Sequence, residues 1–201
     1  MRQLSGLVFI AACVALSGCA ASTSRYSGAD AGMLILSIAQ DKDTRFSIYR
    51  LNYRSRDRRV SDVIAWMKDS PLNSGSPDFA EPSKSGEVFA LKLAPGDYEI
   101  YNYTIAGKGT RHSVSEDFSI PFTITSRETI YLGEFLAMVT HGGNVSASLE
   151  QRAPIFVISD QLSRDAAIAA REEPDIQATR DMVPPAKALR PPLFRTIPSN
   201  Y

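Results

Sequence analysis

An alternation of apolar and polar residues between Met33 and about Ile158 restricts this chain more than any other feature of its sequence. In DFSIPFTIT, residues 117–125, every second residue is apolar, which is the pattern of a strand with one buried face and one exposed face. The apolar residues are Phe118, Ile120, Phe122 and Ile124. Proline cannot donate a hydrogen bond to a neighbouring strand, so Pro121 predicts that this strand lies at a sheet edge.

The same period of two predicts a series of short strands. Besides 117–125, they are expected at 33–39, 44–53, 60–67, 129–140, 144–150 and 154–158, and on both sides of Pro95-Gly96. No long amphipathic helix is predicted among them. This combination favours a mainly β fold, either an antiparallel sandwich or a barrel, and we expect an antiparallel β-sandwich over residues 31–158.

The stretch EVFALKLAPGDYEIYNYTI, residues 87–105, predicts two strands joined by a tight turn. Proline presets the first central angle of a type II turn, and glycine accepts the positive φ of the second. Pro95 and Gly96 therefore predict a hairpin.

Three other segments differ in composition from the strands. Residues 70–86 are rich in Ser, Pro and Gly, and a loop of this length is either a binding loop or disordered; disorder is favoured. Residues 159–173 are rich in alanine and predict one short helix, with Ser159 or Asp160 as the N-cap. Residues 174–201 hold repeated prolines and predict a disordered tail, with a ligand for a partner protein as the alternative.

The first residues of the chain predict an export signal. Arg2 precedes an apolar segment that is far shorter than the ~20 residues of a membrane-spanning helix, and small residues follow it. Leu16-Ser17-Gly18-Cys19 resembles the lipobox of bacterial lipoproteins. The resemblance implies that residues 1–18 are removed and that Cys19 is acylated on its sulfur and its new amino group. An ordinary secretory signal with a chance cysteine is the alternative.

Acylation of Cys19 would determine the surroundings of the mature chain. The 183 residues that remain suit one domain, held to a membrane through a polar tether over residues 19–30. Several acyl chains make such an attachment effectively permanent. By resemblance to lipoproteins of bacteria with two membranes, Ala20 favours the outer membrane, with the protein facing the periplasm. Since Cys13 leaves with the signal, the mature chain would have no free thiol.

Three segments resemble uncharacterised bacterial lipoproteins with a prealbumin-like β-sandwich of the carboxypeptidase-regulatory type. They are LKLAPGDYEIY, FSIPFTITSRETIYLGEF and ISDQLSRDAAIA, within residues 86–172. The resemblance implies a prealbumin- or immunoglobulin-like fold and no catalytic residues. The residues that match the group as structural positions are Pro95, Gly96, Tyr98, Tyr131, Leu132 and Gly133.

Composition and motifs argue against several functions. The chain has 22 Lys and Arg against 22 Asp and Glu, which predicts no general affinity for nucleic acid. No serine lies in a Gly-x-Ser-x-Gly elbow, and His112 and His141 are too few to propose a zinc site. We therefore expect no enzyme, no catalytic residue, no metal and no cofactor beyond the lipid on Cys19.

One basic cluster predicts a contact surface. The segment YRLNYRSRDRR, residues 49–59, holds one acidic residue and five arginines. The arginines are Arg50, Arg54, Arg56, Arg58 and Arg59. The parity of Phe46 and Ile48 predicts a bulge or turn near Arg50, since otherwise these apolar residues would share a face with the arginines. The cluster is either a solvated turn that discourages edge pairing or a contact for anionic lipid or a phosphate-bearing envelope polymer.

The aromatic residues and the membrane location leave several partners open. The concentration of Tyr49, Tyr53, Tyr98, Tyr101 and Tyr103 is typical of core edges, with a platform for the sugars of peptidoglycan as the alternative. The first hypothesis is a sandwich that binds an envelope protein or peptidoglycan. The second is an accessory lipoprotein that docks a secretion or envelope machine, and the third, less favoured, is an envelope hydrolase.

Overall fold

The structure, a computed structural model, describes residues 26–44, 46–68, 76–107, 109–139, 154–174, 176, 179–181 and 194–197. The predicted signal over 1–18, the lipidation of Cys19 and the predicted strand at 144–150 lie outside the described residues. The tether expected over 19–30 is described from Tyr26 onward, and the tail predicted over 174–201 is described only in part.

The described residues form twelve strands and one helix. The strands are β1 (Gly32–Asp41), β2 (Ile48–Ser55), β3 (Ser61–Met67), β4 (Phe79–Ala80), β5 (Lys84–Leu93), β6 (Gly96–Gly107), β7 (Thr110–Ser113), β8 (Ile120–Ile124), β9 (Thr129–Val139), β10 (Pro154–Ser159), β11 (Thr179–Asp181) and β12 (Phe194–Ile197). The helix α1 (Leu162–Glu172) follows β10. The chain is therefore mainly β, as the period of two predicts.

The strands form two sheets. Sheet A has the order β12-β10-β9-β1-β5-β4, and β11 pairs with β9. Sheet B has the order β3-β2-β6-β7, and β8 also pairs with β6. Most pairs are antiparallel, but β1 runs parallel to β9. The arrangement is sandwich-like, with α1 packed on the outer face of sheet A against β1 and β5.

Apolar side chains from both sheets fill the space between them. Sheet A contributes Leu34, Leu36, Phe135 and Phe156, and sheet B contributes aromatic and aliphatic residues of β2, β6 and β8. The alternating residues Ile120, Phe122 and Ile124 are all buried, and Phe118 packs against the same core. The predicted face of this strand is confirmed.

The edge position of β8 is also confirmed. Among the described strands β8 pairs with β6 alone, and Pro121 lies opposite Glu99. Because β8 has no described neighbour on its other side, the missing N–H of Pro121 leaves no gap in the pairing.

The predicted hairpin at Pro95-Gly96 is wrong. β5 pairs with β1 and β4 in sheet A, whereas β6 pairs with β2, β7 and β8 in sheet B. Gly96 has a φ of +153°, far from the roughly +80° of a type II turn, and the chain crosses here from one sheet to the other. The hydroxyl of Tyr98 donates to the carbonyl of Ala94 at 2.9 Å and ties the crossing to β6. The alternation of side chains is the same for a hairpin and for a crossing between sheets.

Several segments differ from their predicted boundaries. Of residues 70–86, favoured as disordered, Phe79–Ala80 pairs with β5 as strand β4. The tail over 174–201 contributes β11 and β12, which pair with β9 and β10. The helix predicted at 159–173 covers Leu162–Glu172, and Gln161 is its N-cap without a side-chain cap bond. Asp160 instead accepts from the backbone N–H of Leu162 at 2.9 Å.

The two ends of the sandwich differ in what they carry. Gly32 pairs with Leu93 and Ser55 with Tyr98, so β1, β6 and the β2–β3 turn meet at one end. Tyr26 lies there too, because its backbone N–H donates to the carbonyl of Lys92 at 2.9 Å. We call this the Tyr26 end. The tether expected over 19–30 is therefore docked on β5 from Tyr26 onward.

Candidate functional site

A β-bulge in β9 creates the polar part of the outer face of sheet A. Ile35 pairs with Tyr131 and Ser37 with Glu134, so β9 holds one more residue than β1 between these pairs. The extra residue is Gly133, whose φ of +111° favours glycine. The bulge resets the alternation, and both Tyr131 and Glu134 face the helix.

Asp165 of α1 reaches down to this bulge. Its Oδ2 accepts from the hydroxyl of Ser37 at 2.6 Å and from that of Tyr131 at 2.8 Å. The Tyr131 hydroxyl in turn accepts from the backbone N–H of Gln161 at 3.1 Å. Two of the three segments that carry the family resemblance are thus in contact: the one that holds Tyr131, Leu132 and Gly133, and the one that holds Asp165 of the helix.

Glu134 lies under the same helix and is fully buried. Lys84 donates from its Nζ to both carboxylate oxygens of Glu134, at 2.8 and 3.0 Å. Ser159 donates to Oε1 at 3.2 Å, and Arg164 donates from Nη2 to Oε2 at 2.8 Å. Three donor groups from three elements therefore make four hydrogen bonds to one carboxylate.

Arg164 connects the two buried carboxylates. It donates to Asp165 Oδ1 from Nε at 2.8 Å and from Nη2 at 2.7 Å, and it pairs with Glu81 at 2.9 Å. Its guanidinium carbon lies 3.6 Å from the ring centroid of Phe79. Burial would lower the pKa of Arg164, but the charges of Asp165 and Glu134 raise it overall. We call this group the Arg164 cluster.

The Arg164 cluster is suited to holding a helix rather than to a reaction. Glu134 and Asp165 are both 0 % exposed, and their oxygens are occupied by neighbouring side chains. Burial raises the pKa of Asp165 against the lowering influence of Ser37 and Arg164. A substrate would have to displace α1 to reach these groups.

None of the sequence patterns described above predicts this cluster. Glu134 interrupts the apolar run of β9, and Asp165 interrupts the alanine-rich helix. A lone carboxylate inside an apolar segment is the signal that could have found them, because such a group is rarely buried without a partner.

On sheet B the structure separates the five predicted arginines. Arg54 lies on the outer face, where it pairs with Glu99 at 2.7 Å and Asp117 at 3.0 Å and stacks over the ring of Tyr101 at 4.2 Å. Ser119 donates to the second oxygen of Glu99 at 2.6 Å. We call this group the Arg54 cluster. Arg50 is exposed on the same face, opposite Thr104 and Ala65.

The other three arginines, Arg56, Arg58 and Arg59, come together in the β2–β3 turn and are all exposed. The bulge predicted near Arg50 is not in β2 itself: the register shift lies opposite Asn52 and Tyr53, and the extra residue belongs to β6. β2 runs unbroken from Ile48 to Ser55, and the turn follows Ser55. Ile48 is only partly buried, so it can share the outer face with Arg50.

The tyrosines do not form a sugar platform. Tyr49, Tyr53, Tyr98 and Tyr103 are at most 3 % exposed and lie in the core between the sheets. Tyr49 stacks on Trp66, and Tyr98 stacks on Phe122. Of these five tyrosines, only Tyr101 lies outside the core. It is the extra residue of β6, because Asn52 pairs with Asn102 and the next residue, Tyr53, pairs with Ile100. Four of the five rings proposed to bind the sugars of peptidoglycan are therefore buried in the core.

A shallow groove of about 330 Å³ lies at the Tyr26 end, on the sheet A side. Gly32, Met33, Lys92, Arg127 and Thr129 are among its lining residues. Among the residues that the structure describes, no group of His, Cys, Asp and Glu could hold a metal ion. In the same part of the chain, no helix is both long enough and apolar enough to cross a bilayer.

No protein-family model matches the chain, and neither a curated protein nor a solved structure is significantly similar to it.

Proposed function

We propose that this chain is a lipid-anchored protein of the bacterial cell envelope, at the periplasmic face of the outer membrane, whose β-sandwich binds a partner without catalysis. The lipobox-like Leu16-Ser17-Gly18-Cys19 supports the anchor. The proposal depends most on one spacing: Cys19 stands seven positions before Tyr26, the first described residue, whose backbone is hydrogen-bonded to β5.

This spacing would keep the sandwich close to its membrane. Seven residues reach about 25 Å at full extension, which is less than the length of most domains of this size. A partner would therefore meet the sandwich beside the bilayer.

The carboxylates of the Arg164 cluster already have partners within the chain, which supports a binding role for the protein and not a catalytic one. Its carboxylates are enclosed by partners from the chain itself, and α1 covers them. By contrast, the outer face of sheet B carries Arg50, Arg54 and Tyr101, and the described helix packs on the other sheet. The outer face of sheet B is therefore the better surface for a protein partner.

The anchor is tested by the mass of the mature protein from cells. We expect an N-terminus at Cys19 with added acyl mass and recovery in the membrane fraction. Cys19→Ala should abolish the acyl mass, and Cys13→Ala, the matched control, should change neither readout. A protein that starts upstream of Cys19, or that carries no acyl mass, contradicts the proposal.

The partner is tested by crosslinking in intact cells from Arg50 or Ser61 on sheet B. A docking subunit of an envelope machine would trap one large stoichiometric partner, whereas a general binding module would trap several. Titration with peptidoglycan fragments should give no heat, because four of the five tyrosines are in the core and Arg54 covers the ring of Tyr101.

A further inference from the structure

We propose that the β2–β3 turn contacts the head groups of an anionic lipid leaflet and turns the Tyr26 end of the sandwich toward the membrane. This inference rests on the lipid anchor proposed above. It deepens that proposal by naming the surface that faces the bilayer and the lipid that it fits.

The first support is position. β5 of sheet A ends at Leu93 and β6 of sheet B begins at Gly96, with only two residues between them, so these strand ends lie together. Arg56 donates its backbone N–H to the carbonyl of Asp97 at 2.9 Å, next to that junction. The docked Tyr26 bonds to Lys92 at the same end. Tyr26, seven positions after Cys19, and the arginine turn therefore lie at the same end of the sandwich.

The second support is the charge of the turn. Its one acidic residue, Asp57, accepts from the hydroxyl of Ser55 at 2.6 Å and from the backbone N–H of Arg59 at 3.1 Å. The hydrogen bond from Ser55 and that from Arg59 lower the pKa of Asp57. Asp57 also pairs with the guanidinium of Arg59 at 3.3 Å, so one carboxylate stands against three exposed arginines and the tip keeps a net positive charge.

Two acids of the neighbouring connections, Asp30 and Asp97, are also hydrogen-bonded within the chain. Asp30 accepts from the hydroxyl of Tyr26 at 2.9 Å, and Asp97 accepts from that of Thr123 at 2.7 Å. Guanidinium groups bind phosphate through paired N–H donors, which suits them to phospholipid head groups. Attraction by an anionic leaflet reaches about one Debye length, roughly 8 Å at physiological salt, so a surface held beside the bilayer is required.

The opposite end supplies a matched control. Lys42 and Lys68 are exposed and directly follow β1 and β3, and Arg111 is exposed in β7 opposite Ala106, near the end of β6. Reversing these three charges changes the net charge as much as reversing Arg56, Arg58 and Arg59. Only the reversal of Arg56, Arg58 and Arg59 removes the proposed contact.

The experiment uses the native lipidated protein in vesicles of phosphatidylcholine, with or without phosphatidylglycerol. Arginines are modified with phenylglyoxal and mapped by mass spectrometry. We expect Arg56, Arg58 and Arg59 to react about fivefold more slowly on the anionic vesicles, the change for one basic group held at such a surface, while Arg111 is unchanged. High salt should remove the difference.

Arg127, exposed on the β8–β9 turn at the Tyr26 end, serves as the reporter in the variants. Its protection on anionic vesicles should be lost in R56E/R58E/R59E and kept in K42E/K68E/R111E. Equal reactivity on both vesicles, or protection that survives R56E/R58E/R59E, overturns the contact even where the acyl mass on Cys19 is present. Absence of that mass overturns the anchor and this inference together.

Discussion

The outer faces of the two sheets carry the same arrangement of groups in different surroundings. On each face an arginine bridges carboxylates, stacks on an aromatic ring and lies beside a β-bulge. The side chains of Arg54 and Arg164 are equally exposed, at 19 %. Their acidic partners differ: Glu134 and Asp165 are 0 % exposed, whereas Glu99 is 18 % and Asp117 47 % exposed.

This difference indicates that the burial of the acids decides what an arginine contributes. A buried carboxylate that loses its cation stays in a medium of low dielectric, which is strongly unfavourable. An exposed carboxylate that loses its cation is hydrated instead. The Arg164 cluster should therefore control stability, and the Arg54 cluster should be free to serve a partner.

The largest expected effect is that of Arg164→Met. The substitution leaves Glu134 and Asp165 under α1 without their shared cation, and we expect a loss of about 3–5 kcal/mol in the free energy of unfolding. Urea denaturation followed by circular dichroism measures it. A loss below about 1 kcal/mol would show that water reaches both carboxylates and would remove the contrast between the faces.

Asp165→Asn should cost about 2–3 kcal/mol, because an amide N–H₂ would face the donors of Arg164. The native pKa of Asp165 is raised above its ordinary value of 3.8, so its contribution to stability is complete below that pH and is lost as the pH rises through the native pKa. The cost of the substitution should therefore shrink as the pH rises. Denaturation at a series of pH values tests this sign, and a cost that grows with pH contradicts it.

Phe79→Leu should cost about 1–2 kcal/mol, since it removes the ring under Arg164 in a site from which water is largely excluded. Tyr101→Leu, its counterpart under Arg54, should cost less than about 0.5 kcal/mol. The two thermal unfolding midpoints, compared with the unmodified chain, give the ranking. Equal shifts would mean that ring stacking does not depend on the burial of the acids.

Among the substitutions of charged residues, Arg54→Met should have the smallest effect, below about 1 kcal/mol. Burial would raise the pKa of Glu99, but hydrogen bonds from Ser119 and Arg54 lower it overall. The contribution of Glu99 is therefore present above its ordinary value of 4.5 and is lost as the pH falls through the native pKa. The cost of Arg54→Met should grow with pH, opposite in sign to that of Asp165→Asn, and urea denaturation at pH 4 and pH 7 compares them.

The strands could be predicted because their side-chain period is visible in the sequence, as Ile120, Phe122 and Ile124 illustrate. Which strands pair could not be predicted at Pro95-Gly96, because a hairpin and a crossing between sheets share the same alternation. The short strands β4, β11 and β12 lie in segments rich in Pro, Ser or Gly, and their order comes from neighbouring strands rather than from their own composition.

The arginines were found from the sequence because they are adjacent in it. The Arg164 cluster was missed because its members are far apart: Ser37 and Asp165 are separated by 128 positions. Parity alone would also have placed Glu134 beside Leu132, on the inner face of β9. The bulge at Gly133 reverses that assignment, and a bulge has no period that a sequence reveals.

Gly133 inverts the phase of β9 halfway along the strand. Before Gly133 the odd-numbered residues of β9 face the helix, and after it the even-numbered residues do. Phe135 therefore faces the core between the sheets. A residue with a side chain at position 133 would favour loss of the bulge. In a strand without the bulge, the carboxylate of Glu134 would point into the apolar core around Phe156. The positive φ of Gly133 therefore keeps the charge of Glu134 out of the apolar core between the two sheets.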